Sequence, residues 1–237
     1  MGGIGILGGT FNPVHSGHVR HAVEVGENLG LDLVLLMPNA VPPHKTARGL
    51  LPFELRVELL RAALSGIPLL EVCTLERELE SPSYTWRSLA EFRRRGVVSR
   101  PEDLYLMLGV EDFAQLDSWA RGPELPAYAN LVVVPREGSG RRVFEAAGAR
   151  FWPEVWPESG KEGACGPDAA DGERAEVPLA PLFPGTRCIY MPLPRMDINA
   201  TEIRRRWREG RCLNVLLPDA ELALMRKHDA QLREAWG

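Results

Sequence analysis

Residues 2–29 read GGIGILGGTFNPVHSGHVRHAVEVGENL, an apolar segment followed by a glycine-rich loop and a stretch with helical periodicity. The first seven residues predict a short buried strand that ends in a glycine turn. Residues 16–29 predict a helix, because their apolar side chains recur at the spacing of one helical face. A strand that enters a helix through such a loop is typical of the first unit of a doubly wound sheet.

The same alternation of strand and helix continues along the chain. Further strands are predicted at Leu31–Met37, Leu69–Cys73, Asp103–Leu108, Asn130–Val134 and Cys188–Met191, and helices at Phe53–Leu64, Ser83–Arg95, Phe113–Trp119, Asn199–Gly210 and about 219–235. Strand segments that are apolar throughout indicate burial on both faces. The sequence therefore predicts an α/β fold: a doubly wound (Rossmann-like) parallel sheet with helices on both faces, in a single domain over residues 1–237.

One segment interrupts the alternation. Between Pro157 and Gly185, ten of the 29 residues are Gly or Pro, and the charged residues are mostly acidic. This composition predicts a flexible surface insertion without a core element of its own. A tolerated loop is favoured over a regulatory segment.

Composition and charge restrict the function classes. The chain has 237 residues, of which 25% are charged, and a net charge of −4, so no general attraction to nucleic acid is expected. The spacing of the cysteines predicts neither a disulfide framework nor a zinc site. The first residues carry no basic segment, and no apolar run reaches the roughly 18 residues of a membrane helix. We expect a soluble cytoplasmic protein that binds neither membrane nor nucleic acid.

The loop at residues 8–18, GGTFNPVHSGH, has the features of a phosphate site. Gly8 and Gly9 allow a ligand to approach the backbone closely. The helix predicted from Ser16 directs its free N–H groups and the positive end of its dipole to the same place. His15 and His18 are three residues apart and can therefore lie on neighbouring parts of one helical turn. The loop matches neither the G-x-G-x-x-G dinucleotide fingerprint nor a Walker loop.

The stretch GGTFNPxHxGH resembles the signature of adenylyltransferases that make nicotinate and nicotinamide dinucleotides. These enzymes belong to a nucleotidylyltransferase superfamily that shares the H-x-G-H element. Four further stretches, in order, resemble the bacterial nicotinate mononucleotide adenylyltransferases: MPNAVPPHK at 37–45, SYTWRSL at 83–89, LGVEDFAQLDSW at 108–119 and INATEIR at 198–204.

The chain departs from the pattern of this family at several positions. Ser88 replaces a threonine, and Glu111 stands where the family has aspartate, with Asp112 directly after it. Asn199 replaces the first serine of the last motif but retains the ability to cap a helix with Glu202. Either acidic residue can fill the family's acidic position.

The resemblance implies transfer of the AMP moiety of ATP to nicotinate mononucleotide. It assigns catalysis to His15, His18 and Arg204. It assigns ATP binding to Gly8, Gly9, Thr10, Phe11, His18, Gly109, Glu111, Ile198, Thr201 and Arg204. It assigns mononucleotide binding to Asn12, His15, Lys45, Tyr84, Thr85 and Trp119. The chain itself supplies no metal ligand, and Mg²⁺ binds through ATP.

Two alternatives stay open. The same chemistry can act on nicotinamide mononucleotide or on another phosphorylated acceptor, although the PPHK and SYT stretches argue against phosphopantetheine and small phospho-alcohols. The second alternative is a nucleotide sensor without turnover. Trp119 and the helix after Ser83 also have purely structural readings, as a core side chain and a capped helix. A homo-oligomer is compatible with the sequence.

Overall fold

Seven strands form one sheet in the order β3-β2-β1-β4-β5-β7-β6. This computed structural model describes residues 2–40, 49–82, 84–135, 140–157, 173–194 and 196–237. The strands are β1 (Ile4–Gly9), β2 (Leu33–Pro38), β3 (Leu70–Val72), β4 (Leu104–Gly109), β5 (Asn130–Val134), β6 (Ala175–Pro178) and β7 (Arg187–Tyr190). The pairs β2–β3, β1–β4, β4–β5 and β5–β7 are parallel, and β6 pairs antiparallel with β7.

Helices connect most of the strands. They are α1 (Ser16–Leu29), α2 (Phe53–Ala63), α3 (Thr85–Arg94), α4 (Val110–Ala114), α5 (Gly140–Phe151), α6 (Ala200–Arg208), α7 (Asp219–Lys227) and α8 (Asp229–Trp236). Among the described residues, no helix is both long and apolar enough to cross a membrane. The α/β class is as predicted, and the sheet is parallel as predicted except for the edge strand β6.

Two compact units divide the chain. The first contains Met1–Leu7, Gly30–Asp32 and Tyr84–Arg195, and the second contains Gly8–Leu29, Leu33–Ser83 and Met196–Gly237. The prediction of a single domain over residues 1–237 stays a prediction.

Each unit has its own core. In the first unit, β5 is buried along its whole length, which explains its uninterrupted apolar sequence NLVVV. Phe113 and Phe144 stack there with ring centroids 5.4 Å apart. In the second unit, apolar side chains of α2 and of the C-terminal helices form one buried cluster that includes Leu59, Trp207 and Trp236.

Several predicted boundaries are wrong. Helix α3 begins at Thr85 rather than at Ser83, with Tyr84 as its N-cap residue, and among the described residues Tyr84 makes no side-chain capping hydrogen bond. Ser83, the predicted cap, lies outside the described residues. The helix predicted at Phe113–Trp119 is α4 followed by a 3-10 turn at Leu116–Ser118. The final helix divides into α7 and α8 at His228, whose backbone is not helical.

The predicted insertion is only in part a loop. Strand β6 lies inside the range 157–185 and pairs with β7, with Val177 opposite Cys188. A single antiparallel strand at a sheet edge needs few residues, so a high Gly and Pro content does not exclude it. Residues 158–172 lie outside the described residues. Helix α5 is absent from the sequence-based prediction.

A buried carboxyl group distinguishes the second unit. Glu221, in the first turn of α7, has no exposed surface. Its two carboxylate oxygens have no hydrogen-bond partner among the described residues. Burial raises the pKa of Glu221 well above its usual value. The folded chain therefore binds a proton at this side chain more tightly than the unfolded chain does.

Glu221→Gln should stabilise the protein at neutral pH. Because the pKa of Glu221 is raised in the folded state, wild-type stability falls as pH rises above the unfolded value of about 4.3, and the amide removes this loss. We expect Tm at pH 7.5 to rise by about 2 °C or more, with the gain shrinking towards pH 4. Thermal unfolding between pH 4 and pH 8 measures this. The exposed Glu234→Gln, in α8, is the control and should change Tm little at any pH.

Candidate functional site

The loop that connects β1 to α1 is buried rather than solvent-exposed. Every residue from Phe11 to His15 is buried. Phe11 has a φ of 47°, in the left-handed region that is uncommon for residues other than glycine. At the end of the loop, the backbone N–H of Ser16 donates to the carbonyl oxygen of Leu216 over 3.0 Å. The first turn of α1 is therefore fastened to the C-terminal segment.

The two histidines of the loop form a stacked pair. The ring centroids of His15 and His18 are 3.7 Å apart, with 30° between the ring planes. The edge of the His18 ring meets Phe11 at 5.2 Å between centroids. Gly17 permits this packing, because a Cβ atom there would lie 3.0 Å from Nδ1 of His15. The structure thus confirms that His15 and His18 share one turn.

The side chain of Asn12 binds backbone groups. Its Nδ2 donates to the carbonyl oxygen of Gly49 over 2.7 Å, and its Oδ1 accepts from the N–H of Leu51 over 3.0 Å. Gly49 has a φ of 79°, a conformation that favours glycine. In this structure Asn12 joins the loop to the segment before α2. Its predicted contact with a mononucleotide stays a prediction.

Arg204 reaches the same loop from α6. Its Nη1 donates to the carbonyl oxygen of Asn12 over 2.8 Å, and its Nη2 donates to the hydroxyl oxygen of Thr201 over 3.1 Å. Burial, and to a smaller extent the nearby charge of Arg208, lowers the pKa of Arg204. The side chain of Asn199 accepts from the N–H of Glu202 over 2.9 Å and caps α6 as predicted. Asn12 and Arg204, which belong to motifs far apart in the sequence, are therefore in direct contact.

Arg56 was missed by the sequence reasoning. It lies in α2 and is 1% exposed, although it carries a full charge. It stands three and four residues before Leu59 and Leu60, so it occupies the apolar stripe of α2, and this position is the signal that could have identified it. Burial lowers the pKa of Arg56, whereas the charges of Glu54 and Glu76 act in the opposite direction.

The first unit holds three of the residues predicted to bind the mononucleotide, namely Tyr84, Thr85 and Trp119. Tyr84 has extended backbone directly before α3, and Thr85 is the first residue of that helix. The guanidinium of Arg121 lies 4.9 Å from the ring centroid of Trp86, the next residue of α3. Trp119 is half-buried, and its carbonyl oxygen accepts from the N–H of Gly122 over 3.0 Å. Arg121 therefore links the Trp119 turn to the start of α3.

The remaining predicted site residues are less constrained. Gly109 ends β4 and is the N-cap of α4, and Glu111 and Asp112 are both exposed in the first turn of α4. Exposure alone does not choose between the two carboxylates. An added Cβ atom at Gly8 would meet nothing within 4 Å, so the space beside this glycine is open. Lys45 lies outside the described residues.

Metal ligands do not cluster in the parts of the chain that the structure describes. No group of three or more His, Cys, Asp or Glu side chains there could hold a metal ion. The arrangement of the second unit offers imidazole, guanidinium and hydroxyl groups, which bind anions.

The chain is similar in sequence to proteins of one known family. Residues 6–206 match the model of the cytidylyltransferase-like family. A Roseiflexus protein named "probable nicotinate-nucleotide adenylyltransferase" is 33% identical over 95% of this chain and 96% of its own length. A Pseudomonas putida protein of the same name is 34% identical over 95% of this chain and 89% of its own length.

A solved structure shares the fold. It is the Plasmodium falciparum nicotinic acid mononucleotide adenylyltransferase complexed with NaAD, with a TM-score of 0.62 and 14% sequence identity. The likeness covers 97% of this chain and 97% of that chain.

Asn12→Ala should destabilise the protein. The change leaves the carbonyl of Gly49 and the buried N–H of Leu51 without the partners that Asn12 supplies. We expect the free energy of unfolding to fall by about 1–3 kcal/mol in urea titrations. The control is Asn28→Ala on the exposed surface of α1, for which we expect a change within about 0.5 kcal/mol. An equal loss of unfolding free energy in the two variants would contradict the role of Asn12 in joining the loop to the segment before α2.

Proposed function

The chain belongs to the cytidylyltransferase-like family and, within it, to the nicotinate-nucleotide adenylyltransferases, and we propose that it transfers the AMP moiety of ATP to nicotinate mononucleotide. The products are nicotinate adenine dinucleotide and pyrophosphate. The observation that carries this function is the stacked His15–His18 pair in a glycine loop to which Arg204 is hydrogen-bonded.

The reaction is an in-line displacement at the α-phosphorus of ATP. The 5′-phosphate of the mononucleotide is already ionised near neutral pH, so the attack needs no general base and no covalent intermediate. Catalysis then consists of positioning two polyanions and stabilising the charge that develops. His18 is assigned to the α-phosphate and the leaving pyrophosphate, and His15 to the attacking phosphate.

Arg204 and Thr201 are assigned to the β- and γ-phosphates of ATP. The hydrogen bond between Nη2 of Arg204 and Thr201 Oγ1 supports this pairing, because it places both groups at one position. A guanidinium offers phosphate a planar fork of donors. Mg²⁺ enters with ATP as part of the substrate, and its charge offsets part of the repulsion between the phosphates.

Tyr84, Thr85 and Trp119 are assigned to the pyridine moiety. Trp119 is half-buried and offers a flat face on which a heterocycle can stack. The ten-residue helix α3 begins at Thr85, and its first N–H groups suit the nicotinate carboxylate. Lys45 is proposed as a mobile positive charge for phosphate. Cytoplasmic location and assembly into a homo-oligomer stay predictions.

The test is pyrophosphate release with ATP and Mg²⁺, comparing nicotinate mononucleotide with nicotinamide mononucleotide at equal concentrations. We expect strong release with the acid and little with the amide. Equal rates would keep the reaction and reject the role of the Tyr84–Thr85 region in acid preference. Binding of ATP without release from either acceptor would favour the nucleotide sensor.

His18→Ala should lower turnover by about 10²-fold or more. The change removes one preorganised donor from the position where negative charge develops on the phosphates. Steady-state pyrophosphate release with saturating substrates measures it. His21→Ala is the matched control, because His21 lies in the same helix outside the motif and its loss should leave turnover near the wild-type value. Wild-type turnover in His18→Ala would reject the assignment.

A further inference from the structure

We propose that Arg56 is a positioning residue for this reaction, holding the loop that carries His15 and His18 in its reactive geometry. The inference rests on the proposed function for its kinetic consequences. The placement of Arg56 is independent of that function, because it concerns only how three segments of the second unit are joined.

The guanidinium of Arg56 donates to three backbone carbonyl groups. Nη1 donates to Thr10 over 2.7 Å, Nη2 to Asn39 over 2.8 Å and Nε to Leu51 over 3.1 Å. Thr10 lies directly after β1, Asn39 lies directly after β2, and Leu51 lies two residues before α2. The side chain of Arg56 therefore holds together three loop segments of the second unit.

The connection to the histidine loop is short. Thr10 is the first loop residue after β1, and the N–H of Asn39 donates to the carbonyl oxygen of Gly9 over 2.9 Å. The backbone carbonyl oxygen of Asn39 accepts from Nη2 of Arg56. Arg56 and Asn39 thus fix both residues from which the loop departs towards His15.

The same segments are joined a second time through Asn12. The N–H of Leu51 donates to Oδ1 of Asn12, and the carbonyl oxygen of Leu51 accepts from Nε of Arg56. The carbonyl of Asn12 in turn accepts from Arg204, which is assigned to ATP. A continuous hydrogen-bonded chain therefore runs from Arg56 to a residue of the proposed catalytic set.

Lysine cannot replace this arrangement. A guanidinium is planar and directs its donors outward in fixed directions, so it reaches three acceptors on different segments at once. An ammonium group is a compact point charge on a flexible stem and lacks the fork. The ring of Phe53, whose centroid is 5.4 Å from the guanidinium carbon, further restricts the Arg56 side chain.

The experiment compares Arg56→Lys with the wild type and with Arg141→Lys. Arg141 is also a buried arginine, but it lies in the first unit, and its hydrogen bonds go to Glu145 and to the carbonyl of Glu173. Arg141→Lys thus reports the cost of altering a buried arginine without touching the loop. The readouts are Tm, kcat and KM for both substrates, and hydrogen–deuterium exchange of peptides.

We expect kcat of Arg56→Lys to fall by about 10- to 100-fold, because displacing catalytic groups by about 1 Å has this effect. KM should change less than kcat, since the charge that His15 and His18 are assigned to stabilise develops in the transition state. Exchange should increase in peptides covering residues 9–15 and 39–40. Arg141→Lys should keep wild-type kcat and wild-type exchange in these peptides, whatever its Tm.

Three outcomes would overturn the proposal. The first is a folded Arg56→Lys with kcat equal to that of Arg141→Lys. The second is unchanged exchange at residues 9–15. The third is failure of both Arg56→Lys and Arg56→Gln to fold, which would make Arg56 a folding residue only. An inactive wild type would reject the proposed reaction instead, and the exchange comparison would still decide whether Arg56 orders the loop.

Discussion

Burial of the loop between β1 and α1 is the constraint on which the second unit depends. The residues from Phe11 to His15 are buried but belong to neither a helix nor a sheet ladder. Buried backbone groups in such a segment need partners from elsewhere, because unpaired groups cost free energy comparable to a lost hydrogen bond. Arg56 and Arg204 donate to the carbonyl groups of Thr10 and Asn12, and the side chain of Asn12 accepts from the N–H of Leu51, so the loop that carries the histidines is held by hydrogen bonds to other segments.

The same solution concentrates positive charge where the chemistry needs it. Arg56 and Arg204 keep their charge when buried, because arginine is not deprotonated in proteins, and burial makes these charges less screened by water. Arg204 is only part-buried and has further donors that can face an anion. In the proposed reaction, Arg204 is held by its hydrogen bond to the carbonyl of Asn12 and meets the anionic substrates without reorganising, whereas Arg56 acts only through the backbone that it holds. Structural support and electrostatic function therefore use the same residue type in this unit.

Sequence patterns were reliable where local physics decides the outcome. Two elements have the predicted bounds, the strand at Asn130–Val134 and the helix from Ser16 to Leu29. Both are encoded by the pattern of apolar residues close together in the sequence. Sequence patterns failed where tertiary contacts decide. Strand β6 exists because β7 offers it an edge with which to pair.

The sequence by itself determined the α/β alternation, the order of the motifs and the residue types of the candidate site, because these depend on residues close together in the chain. Only the tertiary structure decided what each polar side chain binds. Asn12 meets Gly49 across 37 positions and Arg204 across 192, and periodicity carries no information over such separations. A buried arginine or asparagine finds its partners only when distant segments fold together, because its donors must then be satisfied by whichever carbonyl groups lie nearby.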